Sequence, residues 1–144
     1  MGTIKAICIS KKKGEKKGPI QSAVLRTAHG IVGDAHAGEW GRQVSLLPTE
    51  SIEKMREVIP ELVDGDFAEN IVTADVDMAG VKIGDRFRAG AGIILEVTQI
   101  GKECHESCAI REKTGDCIMP REGVFCRVVE GGDLKTGDGI CLDR

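Results

Sequence analysis

The chain has 144 residues and a net charge of −3, with 41% hydrophobic and 30% charged residues. This length suits one domain, and the composition excludes a disordered or collagen-like chain. No apolar run approaches the ~20 residues that span a bilayer, and the N-terminus lacks the pattern of a signal peptide. We therefore predict a single cytoplasmic domain over residues 1–144 with no membrane contact. Because basic residues are not in excess, we also predict no nucleic-acid partner.

Short β-strands are the elements that the first third of the chain predicts, in keeping with 19 glycines and 3% aromatic residues. An isoleucine-rich strand over 3–10 opens the chain. Residues 11–18 then hold five lysines, and we expect an exposed loop because so many ammonium groups resist burial. A second strand is predicted over 20–27, a glycine-rich loop over 30–41 and a short strand over 43–47.

The clearest helix is predicted over 49–58. Thr49 can cap it, glutamates occupy its first turn, and Pro60 ends it. Further strands are then predicted, the clearest of them over 93–100 because β-branched apolar residues recur there. The predicted strands after the helix are 66–73, 93–100, 123–129 and 139–142.

A short repeat marks two turns. Residues 81–85 and 134–138 share the pattern apolar-Lys-x-Gly-Asp, in which glycine supplies a positive φ and aspartate bonds its own backbone. Seven or so short strands with one or two short helices do not alternate regularly, which argues against a Rossmann-type parallel sheet. We therefore predict a mainly β, barrel-like fold.

Three thiols and an imidazole fall within residues 104–117, namely Cys104, His105, Cys108 and Cys117. One interpretation is a zinc site, although the adjacent Cys104 and His105 do not easily converge on one ion. Another is thiol chemistry, because a cysteine near a histidine can have a lowered pKa and act as nucleophile or soft metal ligand. A third is burial as small apolar side chains, which we expect for Cys8, Cys126 and Cys141.

A second candidate region is the loop around Asp34 and His36. On an extended segment these side chains point to the same side, and the flanking glycines let the backbone approach a ligand. The alternative is a turn capped by Asp34 with His36 exposed. Glu69 and Asn70 interrupt an apolar run, either as the solvent side of a strand or as a polar network under a site.

Several motifs, in order, resemble the MOSC domain family, named for the C-terminal domain of molybdenum-cofactor sulfurase. The resemblance covers most of the chain and is greatest to small stand-alone bacterial members. It implies a β-rich fold built around a barrel of the pyruvate-kinase-like type. The motifs are 33–38 with 42–47, 67–71, 81–85, 101–104, and 119–125 with the glycines at 131, 132 and 137.

The resemblance implies binding of the molybdenum cofactor (molybdopterin), or sulfur transfer to it, through Cys104. The family's matching cysteine is proposed to carry a persulfide in sulfurases and binds molybdenum in amidoxime-reducing relatives. Cys104 would thus be the sulfur acceptor or metal ligand, and His105, Cys108 and Cys117 would adjust its reactivity. Residues lining the cofactor groove would be Asp34, His36, Arg42, Gln43, Glu69 and Asn70, with Arg42 and the lysine loop meeting the phosphate.

The implied partners are a cysteine desulfurase or another sulfur donor, and proteins of molybdenum-cofactor biosynthesis or molybdoenzymes. Pyridoxal phosphate, used by the sulfurases' aminotransferase-like domain, is not expected because this chain has no length for that domain. Catalysis, if present, would be sulfurtransferase-like or molybdenum-dependent. Two alternatives stay open: a cofactor-bearing subunit of a molybdenum-dependent reductase of N-hydroxylated compounds, and a zinc-stabilised binding module without catalysis.

Overall fold

The structure is a computed structural model and describes residues 2–12, 17–67, 69–76, 78, 80–100 and 123–143. The described strands are β1 (Gly2–Ile9), β2 (Gly18–Ile20), β3 (Ser22–Arg26), β4 (Gly30–Ile31), β5 (Val44–Pro48), β6 (Ile71–Ala74), β7 (Arg86–Ala89), β8 (Ile93–Ile100), β9 (Val124–Glu130), β10 (Gly132–Lys135) and β11 (Gly139–Asp143). One helix, α1 (Thr49–Arg56), lies between β5 and β6. Within these ranges no helix has the length and apolar character to cross a bilayer.

Seven strands close into a barrel, in the order β1–β11–β7–β8–β9–β5–β6 and back to β1. The closing pair places Gly2 opposite Ile140 and Thr3 opposite Gly139. Strand β2 pairs with the last three residues of β1, and β10, β3 and β4 form a separate three-stranded sheet. The mainly β, barrel-like fold with a short helix is therefore confirmed.

Alternating apolar side chains fill the barrel. Along β8, Ile93, Leu95 and Val97 are buried, whereas the intervening Ile94 and Glu96 are partly exposed. This period of two is what a strand with one buried face requires, and β8 begins and ends where the sequence predicted. The other large, fully buried side chains of this core include Ile4, Ile7, Leu46, Ile71 and Phe87.

The helix serves as a crossover between parallel strands. β5 and β6 are parallel, with Leu46 opposite Ile71, and parallel neighbours need a connection that returns to the starting edge. Ile52 of α1 packs in a second apolar cluster with Leu47 of β5 and Val72 of β6. The adjacent Leu46 and Ile71 belong to the barrel core, so α1 covers the outer face of these two strands.

The ends of α1 differ from the prediction. Pro48, not Thr49, is the N-cap and makes no side-chain hydrogen bond there. The Thr49 hydroxyl is buried without a hydrogen-bond partner among the described residues. The helix ends at Arg56, before Pro60, because the N–H groups of Val58 and Ile59 both donate to the Met55 carbonyl and complete the last turn.

Two predicted strands are shorter or divided. The strand predicted over 66–73 begins only at Ile71, because residues 64–67 form turns in which the Glu69 carboxyl accepts two backbone N–H groups. The strand predicted over 20–27 is divided at Gln21 into β2 and β3. These two strands have different neighbours, β1 for β2 and β10 and β4 for β3, so one continuous strand could not serve both sheets.

Both copies of the repeated turn are confirmed. The Lys82 N–H donates to Asp85 Oδ2 at 2.9 Å, and the Lys135 N–H donates to Asp138 Oδ2 at 3.0 Å. The glycine has a φ of +96° at Gly84 and +97° at Gly137. Each turn leads directly into a barrel strand, β7 or β11.

Candidate functional site

A buried lysine lies at the centre of a polar cluster between the end of β1 and the start of β2. Lys17 Nζ is 2.6 Å from Asp34 Oδ1, and neither side chain is exposed to solvent. The same nitrogen lies 3.2 Å from Ser10 Oγ and 2.9 Å from His36 Nδ1. The prediction of an exposed loop over 11–18 is therefore wrong at Lys17, because a buried carboxylate compensates its charge.

The two carboxylate oxygens of Asp34 accept hydrogen bonds from three segments of the chain. Oδ1 accepts the Ser10 N–H at 3.1 Å, and Oδ2 accepts the His36 N–H at 3.2 Å and Asn70 Nδ2 at 3.1 Å. Burial alone would raise the pKa of Asp34. The hydrogen bonds and the charge of Lys17 outweigh burial and lower that pKa below its usual value. Asp34 is thus a carboxylate that binds Lys17 while holding the loop in place.

Asn70 connects this cluster to the barrel. Its Nδ2 also donates to the Cys8 carbonyl at 3.0 Å, and its Oδ1 accepts the Ser45 N–H at 3.0 Å. In return the Asn70 N–H donates to Ser45 Oγ at 3.0 Å. The side chain therefore joins β1, β5 and the start of β6. Since Glu69 and Asn70 are 0% and 1% exposed, this pair belongs to a buried polar network, not to the solvent side of a strand.

Glu69 is a buried carboxyl that organises the preceding turn. Its Oε2 accepts the Gly65 N–H and its Oε1 accepts the Phe67 N–H, both at 3.0 Å. Burial raises the pKa of Glu69 to about 7, although these backbone hydrogen bonds lower it, and the negative charge of Asp64 raises it further. The turn leads back to Lys17, whose N–H donates to the Gly65 carbonyl at 2.9 Å.

Because Glu69 loses its proton as the pH rises, we expect the free energy of unfolding to fall. Its pKa moves from 4.5 to about 7 on folding, so between these values the folded state holds a proton that the unfolded state has lost. This contribution is full below pH 4.5 and is lost as the pH rises through about 7. We expect a loss of roughly 3 kcal/mol in the free energy of unfolding across this window.

Chemical denaturation at a series of pH values tests this expectation. Glu69→Gln should remove this part of the slope, so the difference between wild type and variant should change across the window. Asp64→Asn is the matched control and should leave most of the slope in place. A difference between wild type and Glu69→Gln that stays constant with pH would contradict the raised pKa.

A stack of aromatic and cationic side chains lies next to the buried ion pair. The His36 and Trp40 rings are nearly parallel at 6°, with centroids 6.2 Å apart, and Trp40 Nε1 donates to the His36 carbonyl at 2.7 Å. The Arg42 guanidinium lies 4.7 Å from the Trp40 ring centre and 5.9 Å from that of Phe125. None of the ion pairs formed by the described residues involves Arg42.

This stack gives Arg42 a specific chemical capacity. Aromatic faces hold a guanidinium through cation–π contact without using its N–H donors. The donors that matter for a carboxylate or phosphate therefore stay available in a planar, two-pronged arrangement. The Arg42 guanidinium is therefore suited to bind a carboxylate or phosphate group.

The predicted groove residues fall into separate groups. Asp34, His36 and Asn70 meet in one hydrogen-bonded cluster, and Arg42 joins it through Trp40. Gln43 is buried and its Oε1 accepts the Val128 N–H at 2.9 Å, which ties it to β9. Glu69 is occupied by backbone groups, so Gln43 and Glu69 support the fold around the cluster.

Two residues of this cluster were not singled out from the sequence. Lys17 was predicted only as part of the loop over 11–18 that meets the phosphate, and no local pattern separates it from the other four lysines of that segment. Trp40 carries a stronger signal, because it is the only tryptophan of the chain and lies in the same glycine-rich loop as His36.

The cysteines divide into buried ones and ones outside the described residues. Cys104, His105, Cys108 and Cys117 all lie outside the described residues. Cys8 and Cys126 are fully buried, as predicted, and Cys141 is half-buried. Burial raises the pKa of Cys8 to about 12, helped by the nearby Glu69 and Asp64 charges, and it also raises that of Cys126. Neither thiol is a thiolate at neutral pH.

No group of three or more His, Cys, Asp or Glu side chains is placed to hold a metal ion within 2–12, 17–67, 69–76, 78, 80–100 and 123–143. The clustered groups of this part of the chain are instead arranged around the ammonium of Lys17. A charged ammonium has no lone pair and binds no metal. The cluster therefore combines a compensated buried ion pair with a guanidinium whose chemistry suits an anion.

Comparison with known proteins places this geometry in a family context. A family model described as MOSC domain matches residues 33–141. The YuaD protein of Bacillus subtilis has a similar solved structure, with a TM-score of 0.80 at 18% identity over 97% of this chain and 94% of that one. YiiM of Geobacillus stearothermophilus has a TM-score of 0.73 at 19% identity, over 100% of this chain and 76% of that one. These two likenesses show the shared fold.

A curated relative is a longer protein. A protein called "Reductase" from Gibberella moniliformis is 30% identical over 154 aligned positions. The alignment includes 91% of this chain and 27% of that protein. The chain thus spans about a quarter of the length of this relative.

Proposed function

The chain belongs to the MOSC domain family, and we propose on this premise that it binds a molybdopterin-type cofactor or carries sulfur to it. The whole chain, residues 1–144, would act as one MOSC domain. The observation that carries the proposal is the family match over residues 33–141, which includes both the Asp34–Arg42 loop and the cysteine cluster. The cluster around Lys17 and the stack around Arg42 support it, because they offer the groups that an anionic cofactor needs.

Arg42 would bind the phosphate of the cofactor. The guanidinium is half-buried, supported on two aromatic faces and unpaired among the described ion pairs. A phosphate would receive two parallel N–H···O bonds from it, the arrangement in which arginine is most effective. Trp40 would fix the direction of the guanidinium, and the Asp34–Lys17 pair would fix the loop that carries both.

Cys104 would be the group that meets the metal or the sulfur. When bound, a molybdenum cofactor supplies two-electron redox chemistry at its metal, for which a thiolate is a suitable soft ligand. In the sulfur-carrier role the Cys104 thiolate attacks the outer sulfur of a persulfide on the donor protein. The donor's S–S bond breaks, its cysteine leaves as a thiolate, and Cys104 holds the persulfide. His105, Cys108 and Cys117 would adjust or protect this thiol.

Removing Arg42 should reduce cofactor retention. We expect Arg42→Ala to lower the molybdenum and pterin content of protein purified from a molybdate-fed host by about 10- to 100-fold. Arg42→Lys keeps the charge but loses the two-pronged geometry, so its molybdenum and pterin content should lie between those of wild type and Arg42→Ala.

Arg88→Ala is the matched control, because Arg88 lies on β7 with its side chain 61% exposed and pairs with Asp143 on the surface. It should retain the content of wild type. Equal content in Arg42→Ala and wild type would exclude Arg42 from the cofactor site.

A second function is favoured by the Gibberella moniliformis relative, which is called "Reductase". In this case the chain would be the cofactor-bearing part of a molybdenum-dependent reductase of N-hydroxylated compounds, with electrons delivered by a separate protein. Turnover of an N-hydroxylated compound by the molybdenum-loaded protein with an added electron donor would favour the reductase. A persulfide on Cys104 without such turnover would favour the sulfur carrier.

A further inference from the structure

The contact between Lys17 and His36 determines where the protons of the cluster lie. Lys17 Nζ is 2.9 Å from His36 Nδ1, 2.6 Å from Asp34 Oδ1 and 3.2 Å from Ser10 Oγ. A charged ammonium has three N–H donors and no acceptor, so three neighbours at hydrogen-bond distance must all accept. The buried Asp34 carboxylate requires this charge, because an unpaired charge at 0% exposure would be strongly unfavourable.

Ser10 can accept a hydrogen bond from the Lys17 ammonium. Its hydroxyl proton is donated to the Lys12 carbonyl at 3.1 Å, which leaves an Oγ lone pair for Lys17. Asp34 Oδ1 is an acceptor by nature. His36 Nδ1 must therefore present its lone pair to the ammonium as well, and the ring proton of a neutral imidazole then resides on Nε2.

We propose that Lys17 is a positioning residue that holds His36 as the neutral Nε2–H tautomer, so that the ring acts as a hydrogen-bond donor. Three further contacts fix the orientation of the residue. The His36 N–H donates to Asp34 Oδ2 at 3.2 Å, its carbonyl accepts Trp40 Nε1 at 2.7 Å, and its ring stacks on Trp40. Asp34 and Trp40 of the same loop thus fix the backbone and the ring of His36, and Lys17 from another segment fixes the position of the ring proton.

This assignment restricts the chemistry of His36. With Nδ1 occupied by Lys17 and Nε2 protonated, the ring offers no lone pair to a metal ion and no base to a substrate. The group that Nε2–H meets must accept a hydrogen bond, such as a phosphate, carbonyl or oxo oxygen. For a bound cofactor this consequence depends on the proposed function, whereas the tautomer itself does not.

Nitrogen-15 NMR of the 144-residue chain without ligand, at neutral pH, tests the tautomer directly. Long-range ¹H–¹⁵N correlation spectra separate a protonated ring nitrogen from an unprotonated one. The chain has three histidines, so His36→Gln identifies the signal that belongs to His36. We expect a single pattern with Nδ1 unprotonated and Nε2 protonated. A protonated Nδ1, alone or together with Nε2, would overturn the proposal whatever the protein binds.

A pair of variants tests the role of Lys17. Lys17→Met removes the donor and should abolish the single-tautomer pattern of His36, giving a mixture of tautomers or a doubly protonated ring. Lys12→Met makes the same change at an exposed lysine of the same segment and should preserve the wild-type pattern. An unchanged pattern in a folded Lys17→Met protein would show that Lys17 does not set the tautomer. If that variant does not fold, the wild-type spectrum still decides.

Discussion

Lys17→Met should lower the free energy of unfolding by about 3–5 kcal/mol at neutral pH, because it leaves a buried carboxylate without its partner. Asp34 would keep its hydrogen bonds from Ser10, His36 and Asn70 but lose the only charge that compensates its own among the described ion pairs. Equilibrium denaturation in urea measures this loss of stability. The comparison requires that the m value, the slope of the unfolding free energy against urea concentration, is the same in both proteins.

The pH dependence identifies the cause of this loss. The pKa of Asp34 is lowered in the folded protein, so its contribution to stability is full above its unfolded pKa and decreases as the pH falls through the folded value. Without Lys17 that pKa should rise. The deficit of Lys17→Met should therefore be largest at neutral pH and decrease as the pH falls from the raised Asp34 pKa of the variant through the lowered pKa of wild type.

Arg88→Met provides the matched control for removal of a cation. Arg88 and Asp143 form an exposed ion pair at 3.3 Å, and such pairs contribute about 0–1 kcal/mol. The two variants remove the same charge and replace it with the same side chain. Equal destabilisation of Lys17→Met and Arg88→Met would contradict the buried ion pair as the source of stability.

Gly65→Ala should be comparably destabilising, by about 3–5 kcal/mol, for a steric reason. Gly65 has a φ of +97°, and a Cβ there would lie 1.8 Å from the Lys17 carbonyl oxygen. The two backbones already touch, since the Lys17 N–H donates to the Gly65 carbonyl. The methyl group would displace Lys17 and, with it, the contacts that Lys17 makes to Asp34 and His36.

Gly137→Ala separates the two contributions to this cost. Gly137 has the same φ of +97°, yet nothing lies within 4 Å of its hypothetical Cβ. This variant should lose only the conformational part, about 1–2 kcal/mol. Thermal or urea unfolding of both proteins measures the difference. A Gly65→Ala protein as stable as Gly137→Ala would show that the close approach to Lys17 is not a constraint.

Regular elements were predictable because their signal is local. Strand β8 alternates buried and partly exposed side chains over residues 93–98, and its predicted bounds of 93–100 agree with the structure. The two Gly-Asp turns were predictable for the same reason, since each aspartate bonds a backbone group three residues away. Barrel closure was foreseen only as a general shape, because the pairing of β1 with β11 joins the two ends of the chain.

Two features were predicted wrongly because they depend on hydrogen bonds of individual side chains that no periodic pattern reveals. Residues 66–70 look like part of an apolar strand, but the Glu69 carboxylate draws the Gly65 and Phe67 N–H groups into a turn. Lys17 resembles the exposed lysines around it, and its burial depends on Asp34, 17 residues further along the chain. Asp34, His36 and Asn70 were predicted as site residues by pattern, whereas the lysine that joins two of them required the fold.

We propose that this MOSC domain handles a molybdenum cofactor or its sulfur through Cys104. Elemental analysis and non-reducing intact mass of protein purified without chelator from a molybdate-fed host test it most directly, with Cys104→Ser purified in parallel. We expect molybdenum, or an adduct with the mass of one sulfur atom mapped to Cys104, in wild type and neither in the variant. Stoichiometric zinc with no molybdenum and no adduct, or equal loading of Cys104→Ser, would contradict the claim.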